Sequence, residues 1–232
     1  MFRRKMKKKV FYTELAYILG IAFLAFGTAL MERADFGVSM VVAPAYLVHL
    51  KLSQSLPFFT FGMAEYMLQG TLLLAMILLM RRFRISYLFS FATAVIYGFT
   101  LDGAMFVVAQ LPGMGMAARA AFYVVGFLGC ALGVSLLFHT YISPEVYELW
   151  VKEMSSRRGI DIHKYKTGYD CVSCLVGIAL SFLFFGFGCF EGVKLGTIIC
   201  ALVNGYTIGL FARALEKIWD FRDGLSLRRY FE

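Results

Sequence analysis

The chain has 232 residues, 60% of them hydrophobic and only 16% charged, with a mean hydropathy of +0.71. A water-soluble domain is nearer about 45–50% apolar and about 25% charged, so this composition excludes an ordinary soluble domain and points to lipid as the solvent. The net charge of +8 does not indicate nucleic acid, because the basic residues fall in short clusters between apolar runs and form no aromatic-interleaved face.

The first ten residues, Met1–Val10, are rich in Arg and Lys and precede an apolar run over Phe11–Met31. That run is longer than the apolar core of a cleaved signal peptide, and it ends in Leu30-Met31-Glu32-Arg33, not in a small-residue cleavage site. It reads as a retained first span. Val38–Leu50 is too short to cross comfortably and contains Pro44; it reads as a re-entrant or interfacial segment. Five further runs approach the ~20 residues a spanning helix needs: Leu56–Met80, Ile85–Leu111, Ala118–Tyr141, Thr167–Gly188 and Gly192–Ala214. Between the fourth and fifth spans, Ser143–Lys166 carries Val146, Leu149, Trp150 and Met154 at helical spacing, with Glu145, Glu148, Lys152 and Glu153 elsewhere. It reads as an amphipathic helix on the cytoplasmic interface or a partner-docking helix. The tail 215–232 has a similar mixed character.

Six spans place every basic cluster on one side. These are Arg3, Arg4, Lys5, Lys7, Lys8 and Lys9, then Arg81, Arg82 and Arg84, then Lys152, Arg157, Arg158, Lys164 and Lys166, then the tail with Arg213, Lys217, Arg222, Arg228 and Arg229. By the positive-inside rule that side is the cytoplasm, and both termini lie there. The expected fold class is therefore an all-α polytopic membrane protein, one membrane domain over 1–232.

Shifting the sequence by 106 positions sets Gly20 on Gly126, Gly27 on Gly133 and Leu30 on Leu136. A break follows each helix, at 35–40 and at 141–145, with Ser39 and Ser143 as expected N-caps and Pro144 at the expected first helical position. At a shift of 107, Ser90 meets Thr197, Ala94 meets Ala201 and Gly98 meets Gly205; the middle helices match poorly, with Gly62 on Gly168. Residues 11–111 and 118–214 are thus expected to be repeats. With three spans each, the second enters the membrane from the opposite side, the inverted arrangement of many secondary transporters.

Gly20 and Gly27-Thr28-Ala29-Leu30, followed by Ala34-Asp35-Phe36-Gly37-Val38-Ser39, resemble the opening motif of the YitT/YczE-like bacterial membrane proteins, as does Gly196–Ala201 with Gly205 and Ile208-Gly209 in the last span. This chain has Phe36 and Met40 where that family typically has Leu and Pro, and Tyr206 where it tends to have Pro. The resemblance implies a bacterial plasma-membrane location and no particular substrate.

Ionisable residues inside spans are expensive and usually face a cavity or a partner. Glu65 and Asp102 fall at similar depth, about nine residues from the outer ends of their spans, and Gln69 lies one turn from Glu65 on the same face. Arg33, Ser39 and Ser143 lie at the two breaks, where free helix N–H groups could hold an anionic group, and Asn204 lies in the last span. These seven are the candidate substrate-binding residues, expected at the seam of the two repeats. Four of them have a plainer reading: a helix boundary for Asp102, a helix–helix hydrogen bond for Glu65 and Asn204, a solvated loop for Arg33. Cys171 and Cys174, two of the five cysteines, start a span with no second pair and read as free thiols. No catalytic, cofactor or metal motif is present. The functional expectation is a secondary transporter or permease for a small polar solute, anionic if the helix ends bind it. The alternatives are a substrate-binding subunit of a multi-component importer and a non-transporting regulatory protein. Lipid and a small solute are the expected partners, nucleic acid is not, and a homo-oligomer or partner subunit stays open.

Overall fold

The computed structural model describes residues 8–113, 115–188, 190–226 and 228. Of the basic residues used above for orientation, Arg3, Arg4, Lys5, Lys7 and Arg229 lie outside the described residues, as does Cys189. The other four cysteines are free thiols. The elements in chain order are β1 (Lys9–Tyr12), α1 (Thr13–Ala34), α2 (Ala43–Leu52), α3 (Phe61–Met80), α4 (Ile85–Ala109), α5 (Met116–Leu137), α6 (Val146–Arg158), α7 (Ile162–Phe185), α8 (Leu195–Ile218) and β2 (Trp219–Arg222). Six of them, α1, α3, α4, α5, α7 and α8, are long and apolar enough to cross a membrane. Their outward faces carry large exposed apolar side chains such as Ile18, Leu78, Phe99, Phe106 and Leu183, a surface that only lipid solvates without penalty.

Three boundaries differ from the expected ones in a way that matters. α3 begins at Phe61 and not at Leu56, because the Thr60 side chain accepts the Met63 N–H and caps the helix there. α7 begins at Ile162, five residues before the expected Thr167, so Lys166 belongs to a helix and is buried. Ser39 and Ser143 are not N-caps: α2 starts at Ala43 after Val42, and α6 starts at Val146 after Glu145.

The packing obeys an exchange of halves. α1 packs on α5, its own counterpart. α3–α4 is matched by α7–α8, α1–α4 by α5–α8, α2–α7 by α6–α3, and α2–α3 by α6–α7. The glycines aligned by the shift of 106 explain the central contact. A Cβ on Gly20 would lie 3.1 Å from the Gly133 carbonyl oxygen and one on Gly133 would lie 2.7 Å from that of Gly20; on Gly27 and Gly126 the reciprocal distances are 2.6 and 2.7 Å. α1 and α5 therefore cross antiparallel, backbone against backbone, at the spacing the repeat supplies. A similar hydrogen bond, offset by about one turn in the alignment, ties each half's last helix to the break of the other half. The Thr93 hydroxyl of α4 donates to the Ser143 carbonyl at 2.9 Å, and the Thr197 hydroxyl of α8 donates to the Val38 carbonyl at 2.7 Å.

β1 and β2 form a parallel pair with Lys9 opposite Trp219 and Tyr12 opposite Arg222, which brings the two ends of the described chain to one end of the bundle. Glu14 completes this junction by accepting the backbone N–H groups of Gly224 and Leu225 and the Tyr141 hydroxyl.

α6 is where the expectation of a surface helix fails. Val146, Tyr147, Glu148, Leu149, Val151, Met154 and Ser155 are buried, and the helix lies inside the bundle against α3, α4 and α7. Its apolar stripe meets protein and not an interface, because α6 is the second-half counterpart of α2, which is buried against α7 and α3 in the same way.

Candidate functional site

Both short helices are the returning limbs of re-entrant hairpins. After α1 ends at Asp35 in a left-handed conformation, the chain turns inward through Gly37. There φ is +102° and a side chain would strike Thr197 and Lys194, so glycine suits both the backbone and the space. Val38 N–H donates to the Gly192 carbonyl, residues 38–43 are nearly all buried, and α2 then runs back along α7, from Ala43 beside Gly177 to Lys51 beside the Phe184 carbonyl. From the end of the bundle that carries the termini, the segment after α5 climbs past Thr93, and α6 returns beside α3, from Gln69 at Val146 to the Leu79 carbonyl at Arg157. The starts of α2 and α6 meet inside the bundle.

Where they meet is a small cavity of about 40 Å³, lined by Thr28, Ser39, Val41, Val42, Tyr97, Glu145, Tyr147, Glu148, Lys166 and Asn204 among others. Two hydrogen-bonded groups surround it. In the first, Gln69 binds both ends of the α6 start: its Nε2 donates to Glu145 Oε2 at 3.1 Å and its Oε1 accepts the Val146 N–H at 3.0 Å. Gln69 Nε2 also reaches Glu65 Oε2 at 3.4 Å, and the Tyr147 hydroxyl donates to that same oxygen at 3.0 Å. In the second, Lys166 Nζ lies 2.7 Å from Glu148 Oε1 and 3.3 Å from Asp170 Oδ1, and Asn204 Nδ2 donates to Asp170 Oδ2 at 3.4 Å. Thr28 joins the hydroxyl of Tyr97 at 3.1 Å.

The electrostatics are lopsided. Glu65, Glu145, Glu148 and Asp170 are all buried, with exposures of 0, 3, 6 and 0%, and the only cation hydrogen-bonded or ion-paired to any of them among the described residues is Lys166. Glu65 Oε1, Glu145 Oε1 and Glu148 Oε2 have no hydrogen-bond partner among the described residues. Burying ionised carboxylates without compensation is prohibitive, so such groups take up protons or a cation. Burial pushes the Glu145 carboxyl well above the usual carboxylate range, and the neighbouring Glu65 carboxyl adds to the effect.

Of the seven residues expected from sequence, Glu65, Gln69, Ser39, Ser143 and Asn204 are brought to this seam. Ser39 and Asn204 line the cavity, while Ser143 contributes a backbone carbonyl. Asp102 and Arg33 lie elsewhere. Asp102 accepts the Thr60 hydroxyl at 2.7 Å and the Gly62 N–H at 2.8 Å, so it secures the start of α3. Arg33 Nη2 donates to the Leu111 carbonyl at 3.0 Å, at the end of the bundle opposite the termini. At that end Asp35 is held by Arg119 and Lys194. Sequence reasoning missed Glu145, Glu148, Lys166 and Asp170. The signal that finds them is the repeat itself: if 38–50 re-enters, its counterpart after 141 must re-enter too, carrying its charges inward. Among the described residues no group of three or more His, Cys, Asp or Glu side chains is placed to hold a metal ion.

No curated protein and no solved structure compared with the chain matches it. The model of the "Family of unknown function (DUF6198)" matches residues 11–213, and the chain belongs to that family.

Proposed function

We propose that this protein is a cation-coupled secondary transporter of a small solute, working by alternating access around the cavity where the starts of α2 and α6 meet. One observation carries the reading: two re-entrant half-helices, exchanged by the repeat, converge on a small cavity lined by Glu145 and Glu148, each with one carboxylate oxygen that has no hydrogen-bond partner among the described residues. In transporters built from inverted repeats, sites of this kind lie at the midplane, at the ends of discontinuous helices. The acidic balance around the cavity favours a cation, either as coupling ion or as substrate, over the anionic solute that free helix N-termini alone would suggest. At the α6 start the Glu145 side chain caps no helix N–H and Gln69 Oε1 takes the Val146 N–H, while the Glu145 carboxyl adds negative charge beside the place an anionic ligand would take.

The reading assigns solute movement and no bond chemistry. It places the protein in a bacterial plasma membrane with both termini cytoplasmic, supported by the basic loops and by the β1–β2 junction of the two ends. The YitT/YczE-like resemblance of the first and last spans supports the same location.

The test uses the purified chain alone, reconstituted in liposomes adsorbed on a capacitive electrode, with rapid steps of proton, sodium or potassium concentration. A saturable transient current is expected for one of them in the wild type, and loss of it in Glu65→Gln/Glu145→Gln. No current for any of the three, or an undiminished current in the double variant, would refute the reading. Because no other subunit is present, net accumulation of that cation inside the same liposomes, beyond the transient that binding alone gives, also excludes the importer-subunit alternative.

A further inference from the structure

The cavity at the seam is small for an organic solute: about 40 Å³ is room for about three waters, at the ~10–15 Å³ that each needs. Beside it runs a second space of about 610 Å³ between α3, α6 and α7, within the range of roughly 300–1,000 Å³ typical of small-molecule sites. Val41 and Tyr147 line both spaces and form the partition between them. The groove is bounded outwardly by Val172 and Val176, which are exposed on the lipid-facing side of α7. Its wall carries four aromatic rings, Tyr147, Trp150, Tyr165 and Tyr169. The Tyr169 ring already faces one ammonium, with Lys166 Nζ 6.0 Å from its centroid.

We propose that this groove and cavity together form the site of a primary amine with an apolar body. The body lies in the groove, entering laterally from the bilayer between α3 and α7, and the ammonium passes Tyr147 to the unpartnered oxygens of Glu145 and Glu148. The size ratio assigns the parts, since only a head as small as –NH₃⁺ fits the cavity and only the groove holds a body. The charge assigns the sign, because the inner end is acidic and the aromatic lining is of the kind that binds ammonium groups. The inference rests on the reading of the cavity as a cation site and adds the substrate class. Amphiphiles with a carboxylate head would reverse it, seating the head at Lys164 on the groove's wall.

The chain has two tryptophans. Trp150 lines the groove, while Trp219 packs on Phe11 at the strand pair. In the Trp219→Phe variant, Trp150 alone reports. The full chain in lipid nanodiscs is titrated with 4-bromophenethylamine, whose bromine quenches a nearby indole, and in parallel with the neutral 1-bromo-4-ethylbenzene and the anionic 4-bromophenylacetate. Saturable quenching by the amine alone is expected. The half-saturating concentration should rise about tenfold or more in Glu145→Gln and in Val176→Phe, which fills the groove without touching the carboxylates. Equal quenching by the neutral compound, stronger quenching by the carboxylate, no saturable quenching, or an amine response unchanged in Glu145→Gln overturns the proposal. Thermal midpoints of the variants confirm that they are folded. A cation-step current that persists in a protein showing no amine quenching rejects this substrate class while leaving the transport reading standing.

Discussion

Glu145 concentrates the problem that the interior must solve. Its carboxyl is held above the ordinary range by burial and by Glu65, so the folded protein binds that proton more tightly than the unfolded chain does. The resulting stability is complete below the unfolded value of about 4.3 and is lost as pH rises through the folded one. In buffer without added metal cations, the thermal midpoint of the wild type is expected to fall as pH rises above about 4.3, and that of Glu145→Gln to fall less. A wild-type midpoint that rises with pH, or an identical slope in the variant, would contradict the assignment. Asp102 makes the opposite case. Its bonds to Thr60 and the Gly62 N–H are structural, so Asp102→Ala should cost about 1–3 kcal/mol of stability yet leave the cation-step current per folded molecule unchanged. A current that disappears while the protein stays folded would return Asp102 to the site. Depth along a helix made Glu65 and Asp102 look equivalent in the sequence. What separates them is depth as well as direction: α3 starts at Phe61 and Gly62 packs on Gly98, so Asp102 lies level with the Thr60 cap while Glu65 lies about a turn deeper. Glu145 and Glu148 were hidden for another reason: five residues of their neighbourhood in sequence are basic, and charges in such company read as solvated until the tertiary fold buries them.

The elements carry their own tests. The α1–α5 crossing depends on bare backbone at Gly20, Gly27, Gly126 and Gly133, so Gly27→Val or Gly126→Val should push the helices apart and cost on the order of 1–3 kcal/mol or more. A thermal midpoint equal to that of the wild type would mean the crossing is looser than described. α6 hangs on Gln69, which takes its first free N–H. Gln69→Leu orphans that buried donor at a cost of about 1–3 kcal/mol, while Gln69→Glu, which keeps an acceptor there, should recover part of the loss at acid pH, where the neighbouring carboxyls are protonated. The six long helices were legible because ~20 apolar residues in a row have few other uses. α2 was legible as a segment that could not span. α6 was misplaced because its periodicity gives an amphipathic helix equally well on a membrane surface and in a bundle interior, and only the partner surfaces, here α3, α4 and α7, decide between them.

At the scale of the molecule, the duplication seen in the spacing of four glycines becomes a physical symmetry. The same pairs of glycines touch from both sides, a similar threonine bond holds each re-entrant limb, and each principal helix pair has its counterpart. In the proposed alternating access, that symmetry is what would relate an arrangement open at one end to one open at the other. The end opposite the termini is closed around Asp35 by Arg119 and Lys194, the other around Glu14, Tyr141 and the strand pair. The middle helices of the halves diverge, and the acidic and basic groups of the site come mainly from α3, α6 and α7, which is why the repeat alone could point to the seam without naming all its residues. The most direct test of alternating access is a single cysteine at the cavity, Ser39→Cys in a chain whose native cysteines are replaced by serine or alanine. It is placed in sealed vesicles and exposed to a membrane-impermeant maleimide from one side or the other. The account predicts labelling from both sides, with each side's labelling suppressed when the opposite end is locked open; labelling from one side only, or from neither, would contradict it.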